Sequence, residues 1–276
     1  MRTLSKCLLA GLCAAVLLLA SGCEKSTGCT VVFPQIGSAD AALLITDSAT
    51  VLIDTGEKND GDELLELLEA YNRDTVDLLL ISHYDKDHVG GAAEVLSGCT
   101  VKRVIGSTSP KDSAEMEAYR TALQESGLTE EIPTSPLTVT LGDLTLEIDP
   151  PQKSIYTEDQ SNNSSTVVSV HYQDTDFLFT GDAMAERTPE FALSLPDQSY
   201  DLIKIPHHGR DTETVSELLP TLKPGAAAVI TSSKKEPEAP ALLDLLKTSD
   251  IMPYLTRQGD VTVISDGKTL TITQAS

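Results

Sequence analysis

The chain has 276 residues, of which 42 are acidic and 20 are basic, and its formal net charge at pH 7 is −22. Such acidity repels polyanions and argues against a protein that grips nucleic acid through a basic stripe. The closest approach to a basic cluster, Lys234-Lys235, is followed directly by Glu236. The length suits one large α/β domain with a sizeable core.

The N-terminal segment has the pattern of a secretion signal. Arg2 and Lys6 precede an apolar run, 7–20, which is too short to span a bilayer but typical of a signal-peptide core. The residues that follow, Ala20-Ser21-Gly22-Cys23, are similar to a bacterial lipobox, although Leu19 lies one place early. We therefore predict a signal peptide over 1–22, lipid on Cys23, a short tether over 23–30 and an extracytoplasmic protein anchored to the bacterial cell membrane. The alternatives are ordinary secretion or an uncleaved anchor.

Two of the five cysteines belong to the mature domain. Cys7 and Cys13 leave with the signal peptide and Cys23 takes lipid, so Cys29 and Cys99 are left. An oxidising compartment permits a disulfide between them, but the sequence does not decide whether they pair. Neither lies in a CxxC motif, so neither is predicted to bind metal.

The segment 31–276 is predicted to form one catalytic domain in which strands and helices alternate. Apolar runs predict strands at 30–33, 42–46, 51–54, 76–82, 101–105, 137–141, 144–148, 166–172, 177–180, 202–205, 226–230, 261–265 and 270–273, with another near 254. Helices are predicted at 62–71, after 91, from 109–110 to about 125, after 182, at 214–222 and at 240–247. The two halves have a similar order of elements, which predicts two sheets packed face to face with helices outside.

The most informative segment is His83-Tyr84-Asp85-Lys86-Asp87-His88, followed by Val89-Gly90-Gly91. It places two imidazoles and two carboxylates directly after a predicted buried strand. Residues of these types at this spacing are typical of a metal site. A polar surface loop is the alternative, and the density of ligand-type groups disfavours it.

Two other predicted strands end in ligand-type residues. The strand 177–180 is followed by Gly181-Asp182, and the strand 202–205 is followed by Pro206-His207-His208-Gly209. Together with His83 and His88, which follow the strand 76–82, four of the five histidines lie at the ends of two predicted strands. We predict that these strand ends meet around a metal centre.

In their order along the chain, these motifs resemble those of the metallo-β-lactamase superfamily, in the version found in the hydrolase domain of ComEC-type competence (DNA-uptake) proteins. The opening strands, with Gly37-Ser38-Ala39-Asp40-Ala41 and Leu52-Ile53-Asp54-Thr55-Gly56, are also similar to that family. The resemblance covers the chain from about Val31 to its C-terminus. It implies a four-layer αββα sandwich with two divalent metal ions at one edge between the sheets.

The resemblance also implies a role for each ligand-type residue. The implied metal ligands are His83, Asp85, Asp87, His88, Asp182 and one or both of His207 and His208. His83 and Asp85 would hold the first ion, Asp87 and His88 the second, and Asp182 both. Either His207 or His208 would complete the coordination of the second ion, while the other would touch substrate.

The implied chemistry is hydrolysis by a hydroxide that two ions share. Asp85 replaces the usual second imidazole with an oxygen ligand, which favours Mn²⁺ without excluding Zn²⁺. Asp85 or Asp87 would guide the proton.

Four further residues are candidates for contact with the substrate. Asn163 and Ser164 lie where relatives usually carry a further imidazole, and Lys204 precedes Pro206 as in the family. Lys204 is either aimed at a substrate phosphate or a solvated strand residue. Arg210 replaces a family Ser and would clamp a phosphate. Ala239 stands where relatives carry a His, which puts rate or substrate type in doubt.

The function predicted from these residues is a surface-anchored, dinuclear metal-dependent hydrolase, a phosphodiesterase or nuclease-like enzyme. Its substrate would be a small phosphodiester or nucleic acid. One alternative is a lactone, β-lactam or thioester hydrolase of the same fold. The other is a non-catalytic surface binding module with a degraded site.

Overall fold

The computed structural model describes residues 28–197 and 199–275. Its strands, in chain order, are β1 (Cys29–Phe33), β2 (Ala42–Ile45), β3 (Thr50–Ile53), β4 (Thr75–Val76), β5 (Leu78–Leu80), β6 (Thr100–Val101), β7 (Val104–Ile105), β8 (Glu130–Glu131), β9 (Leu137–Leu141), β10 (Leu144–Asp149), β11 (Val167–Tyr172), β12 (Thr175–Phe179), β13 (Tyr200–Lys204), β14 (Leu222–Ile230), β15 (Met252–Leu255), β16 (Val261–Ser265) and β17 (Leu270–Gln274). The helices are α1 (Asp60–Ala70), α2 (Lys86–Val89), α3 (Ala92–Gly98), α4 (Ala114–Glu125), α5 (Thr188–Ala192), α6 (Thr212–Leu218) and α7 (Pro240–Thr248).

Two sheets face each other. The first has the order β17-β16-β1-β2-β3-β5-β7-β8 and the second the order β15-β14-β13-β12-β11-β10-β9, while β4 and β6 form a separate pair. The core between the sheets is built from side chains such as Phe33 and Phe179, whose stacked rings have centroids 6.0 Å apart. Burial of this apolar surface is the main force that holds the two sheets together.

Helices cover the outer face of each sheet. Leu64 and Leu68 of α1 belong to a second core beneath α1, α3 and α4. Phe191, Leu218 and Leu242 of α5, α6 and α7 belong to a third core outside the other sheet. The layers are thus helix, sheet, sheet, helix, and the predicted αββα sandwich is confirmed.

Helix α4 shows how local chemistry sets an element boundary. Its predicted start was Ser109-Pro110, but the helix begins at Ala114. Ser113 has extended backbone geometry, and its Oγ accepts a hydrogen bond from the amide of Met116 at 3.1 Å. This N-cap satisfies an amide that the first turn leaves without a partner, and so fixes the boundary.

The predicted strand 76–82 is two short strands. Asp77 separates β4 from β5, and its carboxylate accepts hydrogen bonds from the Thr50 amide at 2.8 Å and from Lys102 at 2.7 Å. β4 consequently pairs with β6, whereas β5 pairs with β3 and β7. Because Asp77 binds both neighbouring segments, it divides a run of residues that the apolar pattern alone predicts to be one strand.

The start of the chain differs from the predicted boundaries in one respect. β1 begins at Cys29, inside the segment predicted to be a tether. Cys29 is buried between the sheets, Cys99 lies at the end of α3, and both are free thiols. The predicted signal peptide and Cys23 lie outside the described residues. Among the residues that are described, no helix combines the length and the apolar character needed to cross a bilayer.

Candidate metal centre

The chain turns back sharply after β5, and this turn delivers two imidazoles to one place. His83 follows the strand directly, and His88 lies in the single turn of α2. Both side chains are buried, and their ring centroids are 4.1 Å apart. The carbonyl of His88 accepts hydrogen bonds from the amide of Thr55 at 2.7 Å and from its hydroxyl at 2.8 Å, which ties the turn to the end of β3.

Asp182 reaches the same place from the second sheet. Its Oδ1 lies 3.3 Å from Nε2 of His88, and its Oδ2 lies 3.1 Å from Nε2 of His208. Its amide donates to Oγ of Ser165 at 3.0 Å. Gly181 before it has a φ of 54°, and a Cβ there would stand 2.9 Å from the hydroxyls of Ser165 and Ser82. Only glycine fits this approach of the two sheets without strain.

His208, rather than His207, points into the centre. Both have left-handed backbone angles, with φ of 48° for His207 and 55° for His208. His208 is buried, donates from Nδ1 to the Thr231 carbonyl at 3.0 Å, and places Nε2 3.5 Å from Oδ2 of Asp87. His207 turns the other way, with Nε2 3.5 Å from Nδ2 of Asn162. Burial and these side-chain contacts, and not the backbone angles that both residues share, place His208 and not His207 among the groups of the centre.

Three buried imidazole nitrogens converge without a hydrogen bond. Among the described residues, Nε2 of His83, His88 and His208 each lack an acceptable hydrogen-bond partner, although two of them lie close to Asp182. Buried polar atoms without partners are rare and costly. Among the described residues, four sets of groups have ligand atoms within 4.8 Å of one another, and the two with two imidazoles each are His83, His88 and Asp182, and Asp87, His88 and His208. Imidazole nitrogens and carboxylate oxygens arranged in this way fit divalent cations.

The charges in the centre stabilise one another. Burial by itself would raise the pKa of Asp182, but His208, His88 and Lys204 outweigh it and hold that pKa well below the usual range. Burial lowers the pKa of His83, and the neighbouring His88 adds to this effect. A neutral imidazole is the form that binds metal. His83 is therefore ready to act as a ligand near neutral pH.

Two carboxylates behind the centre were not predicted as site residues. Asp54, at the end of β3, has Oδ2 2.9 Å from Nδ1 of His88 and accepts the Ser82 amide at 2.7 Å. Asp40 accepts a hydrogen bond from the Thr231 hydroxyl and pairs with Lys204. Both aspartates stand in the opening segments that carry the family resemblance. An acidic residue directly after an apolar strand was the signal that could have found Asp54, whereas Asp40 stands in the loop before β2.

Lys204 lies inside the protein rather than in solvent. It is 4% exposed, and its ammonium group contacts Asp40, the Gly181 carbonyl at 3.1 Å and Oδ1 of Asp182 at 3.4 Å. The alternative of a solvated strand residue is wrong. These contacts show a buried cation that neutralises two carboxylates of the centre, and they leave no ammonium proton directed at a substrate.

Asp85 and Asp87 lie at the mouth of the centre, and each is partly exposed. Oδ1 of Asp85 is 3.9 Å from Nε2 of His83, 2.5 Å from the ammonium group of Lys111, and accepts a hydrogen bond from Ser161. Burial acts to raise the pKa of Asp85, but His83 and these donors lower it below the usual range. Burial would likewise raise the pKa of Asp87, but His208 and His88 hold it well below the usual range, so both carboxylates are charged at neutral pH.

The structure does not direct the predicted substrate-binding residues into the centre. Asn163 is 1% exposed, accepts from the Arg187 amide at 3.0 Å and donates to the Glu158 carbonyl. Ser164 is buried and donates to the Gln160 carbonyl at 2.6 Å. Arg210 pairs with Glu236 at 2.6 Å on the surface. These contacts support the loops around the centre.

Asn162, next to Asn163 in the chain, lies beside His207 and not among the groups that converge on Asp182. It is buried, its Oδ1 has no hydrogen-bond partner among the described residues, and its Nδ2 faces His207. Ala239, where the resemblance implies a histidine, donates its amide to the Gly209 carbonyl at 2.9 Å and so lies against the turn that carries His208. Position 239 therefore lies next to the turn, but its alanine side chain offers no imidazole to the centre.

Comparison with known families agrees with this geometry. The family model described as the metallo-beta-lactamase superfamily matches residues 36–233, which include every ligand-type residue of the centre. The chain belongs to the metallo-β-lactamase superfamily. The predicted family is confirmed, and the superfamily fold implies metal ions, for which the His and Asp clusters at these strand ends are candidate sites.

Relatives of known name support the predicted branch of the superfamily. The chain is 28% identical to ComE operon protein 3 of Bacillus subtilis over 93% of its length, and 29% identical to Recombination protein 2 of Haemophilus influenzae over 74%. It spans only 36% and 24% of these two relatives. The similarity thus covers one part of two much longer proteins.

Solved structures share the fold at low identity. The diiron β-hydroxylase CmlA of Streptomyces venezuelae aligns with a TM-score of 0.56 at 13% identity. The alignment covers 90% of this chain and 54% of the CmlA chain. The metallo-β-lactamase-fold protein YhfI of Bacillus subtilis aligns with a TM-score of 0.53 at 12% identity, covering 89% of this chain and 100% of its own. At such identities the likeness establishes the fold alone.

Proposed function

We propose that this metallo-β-lactamase-fold chain is a metal-dependent hydrolase that cleaves phosphodiester bonds. The observation that carries the proposal is the convergence of three buried, unpartnered Nε2 atoms on Asp182, with the carboxylates of Asp85 and Asp87 at the mouth. A structural core has no use for such an arrangement, because each unsatisfied nitrogen destabilises the fold.

The residues divide into two metal positions. Asp87, His88 and His208 would hold one ion, His83 and Asp85 would hold the other, and Asp182 lies between them. Divalent ions at such positions supply Lewis acidity and lower the pKa of water. Asp54 and Thr231 hold the imidazoles of His88 and His208 in place by their Nδ1 atoms. Asp85 and Asp87, which are partly exposed, are placed to accept a proton.

The name of one relative and the charge of the chain bear on the substrate in opposite ways. Recombination protein 2 is named for a process that acts on nucleic acid, which favours a nucleotide phosphodiester. The net charge of −22 repels long polyanions. We therefore propose a short oligonucleotide or a small phosphodiester, bound by a centre that contains Mn²⁺ or Zn²⁺.

The test is turnover of bis(p-nitrophenyl) phosphate and a short single-stranded oligonucleotide by protein loaded with Mn²⁺ or Zn²⁺. We expect His208→Gln to lose at least about 100-fold in kcat/KM, because a ligand is removed. The matched control is His171→Gln, which changes a histidine that pairs with Asp176 in the β11–β12 hairpin and should leave turnover unaltered.

Two results would contradict the proposal. One is wild-type protein that contains metal and is silent on both substrates, and the other is full activity in His208→Gln. Turnover of a β-lactam or a lactone in place of phosphodiesters would move the assignment to the alternative hydrolase of the same fold. Metal binding without any turnover would favour the binding module.

We also propose that the protein is anchored through lipid on Cys23. The lipobox-like Ala20-Ser21-Gly22-Cys23 supports this proposal. In a bacterial host, Cys23→Ser should move the protein from the membrane fraction to the soluble fraction. Unchanged fractionation would contradict lipid anchoring.

A further inference from the structure

We propose that the two metal positions differ in affinity and that Lys111 causes the difference. Lys111 pairs with the carboxylate that the His83 position needs, so the first ion to bind occupies the Asp87, His88 and His208 position. The inference depends on the metal centre of the proposed function, but not on the reaction that the centre catalyses.

The contact of Lys111 falls on the oxygen that faces His83. The ammonium group lies 2.5 Å from Oδ1 of Asp85, and the same oxygen accepts a hydrogen bond from Ser161 and lies 3.9 Å from Nε2 of His83. One carboxylate oxygen thus serves two donors of the protein. A metal ion bound by His83 and Asp85 competes with both.

The other position is organised differently. Oδ2 of Asp87 lies 3.5 Å from Nε2 of His208, and within the described part of the chain this imidazole is its ion-pair partner. His88 and His208 have their Nδ1 atoms held by Asp54 at 2.9 Å and by the Thr231 carbonyl at 3.0 Å. In the Asp87, His88 and His208 position, the carboxylate therefore faces another candidate ligand, and both imidazoles are already oriented.

The His83 position also lacks help from the neighbouring loop. The amide of Asn163, where relatives usually supply an imidazole, is engaged by the Arg187 amide and the Glu158 carbonyl. His83, Asp85 and Asp182 are thus its candidate ligands, and Asp182 also faces His88 and His208. Fewer side chains are committed to this position.

Electrostatics gives the direction of the effect. An ion entering between His83 and Asp85 either breaks the Lys111 ion pair or shares Asp85 with a second cation, and both reduce its affinity. Lys111 is exposed and lies in the loop between β7 and α4. Its replacement should therefore leave the fold intact while it frees Asp85.

The experiment is a calorimetric titration of metal-free full-length protein with Mn²⁺ or Zn²⁺, with stoichiometry confirmed by native mass spectrometry. Wild type should bind one equivalent tightly and a second at least about tenfold more weakly. Lys111→Met should tighten the second equivalent by about tenfold or more and leave the first unchanged, whereas Lys111→Arg should retain the wild-type difference.

Lys102→Met is the matched control. It also removes an exposed lysine from a lysine–aspartate pair, with Asp77 at 2.7 Å, but it does so at the opposite end of β5 from His83. Its titration should match that of wild type.

Two equal equivalents in wild type, unaltered by Lys111→Met, would overturn this inference alone. Failure to bind any ion would overturn the metal centre and this inference together. A third result is two equivalents of unequal affinity in wild type that Lys111→Met makes equal, in a protein that does not cleave phosphodiesters. It would support the inference and contradict the proposed reaction.

Discussion

At the scale of the residue, Asp54 shows how much of this centre depends on groups that hold the candidate metal ligands in place from behind. Its backbone is left-handed, with φ of 58°, and its carboxylate binds Nδ1 of His88 and both the amide and the hydroxyl of Ser82. It fixes the ring of His88 and the start of the loop that carries His83. A carboxylate behind a ligating imidazole also raises the basicity of that imidazole.

Asp54→Asn should weaken metal binding by about 10–100-fold without unfolding the chain. Asparagine tolerates the left-handed backbone, so the loss reports the orientation of His88 and not a strained turn. Competition with a chromophoric chelator measures the affinity. Asp143→Asn is the matched control, because Asp143 also binds two hydroxyls, at 2.7 and 2.6 Å, but in the β9–β10 turn. Equal affinities in wild type and Asp54→Asn would contradict the role of Asp54.

His171, which lies on β11, makes stability depend on pH. Its Nδ1 lies 2.6 Å from Asp176, and this hydrogen bond raises its pKa above 6.5. Because the folded state binds the proton more tightly than the unfolded chain, the extra stability is full below the unfolded pKa and disappears as pH rises through the folded pKa.

His171→Gln should therefore lower stability at pH 5.5 more than at pH 8.5. The measurement is urea unfolding of the chelated protein at both pH values, with wild type alongside. A difference between the two proteins that is constant with pH, or that grows as pH rises, would contradict this assignment.

At the scale of the element, the centre depends on helices that begin against strand ends. Gly91 precedes α3, and a Cβ there would stand 2.4 Å from the Thr55 carbonyl and 2.6 Å from the amide of Gly61 in α1. Thr55 is also the residue that holds the His88 carbonyl. Two glycines thus let α1, α3 and the end of β3 approach closely around the ligand loop.

Gly91→Ala should destabilise the protein by about 1–3 kcal/mol, because backbone must move to admit the methyl group. It should also weaken metal binding, since Thr55 and His88 shift together. Urea unfolding and a metal titration measure the two effects. Gly127→Asn is the control, because its φ of 68° suits asparagine and no atom lies within 4 Å of a Cβ there. Wild-type stability in Gly91→Ala would contradict the close packing.

Sequence reasoning was most successful where the chemistry is local. The ligands from His83 to His88 share one motif, and strand ends carrying Asp182 and His208 follow apolar runs, so pattern alone located them. The choice between His207 and His208 depends on burial and side-chain contacts, which no pattern of residue types encodes. Lys111 was not foreseen because a loop distant from any motif brings it to Asp85.

The predicted boundaries of the strand 76–82 and of α4 were wrong for similar reasons. Asp77 divides a predicted strand by binding Thr50 and Lys102, and Ser113 delays α4 by capping it. Both effects come from single side chains whose partners lie elsewhere in the fold or in the next turn. Hydrophobic periodicity does not register them.

At the scale of the whole molecule, the acidic charge and the metal centre are linked. Asp40 and Asp182, two carboxylates of this strongly acidic chain, lie at the centre, where Lys204 and the imidazoles balance their charge. Divalent cations held there would add positive charge and would bind the folded state more tightly than the unfolded chain. The same ions should therefore support both the reaction and the stability of the sandwich.

Removal of metal should lower the melting temperature. A ligand present at 100 times its Kd stabilises the folded state by about 2.7 kcal/mol, so EDTA should shift the transition downward by several degrees. Thermal unfolding followed by circular dichroism measures the shift. Re-addition of Mn²⁺ or Zn²⁺ should restore the original value, and an unchanged transition would contradict the linkage.

The measurement that tests the central claim most directly is the metal content of purified protein after loading and dialysis, determined by inductively coupled plasma mass spectrometry beside Asp182→Asn and His171→Gln. Wild type and His171→Gln should retain at least one equivalent of Mn²⁺ or Zn²⁺, and folded Asp182→Asn should retain far less. Wild-type protein that retains no divalent metal, or Asp182→Asn that retains as much as wild type, would contradict the account.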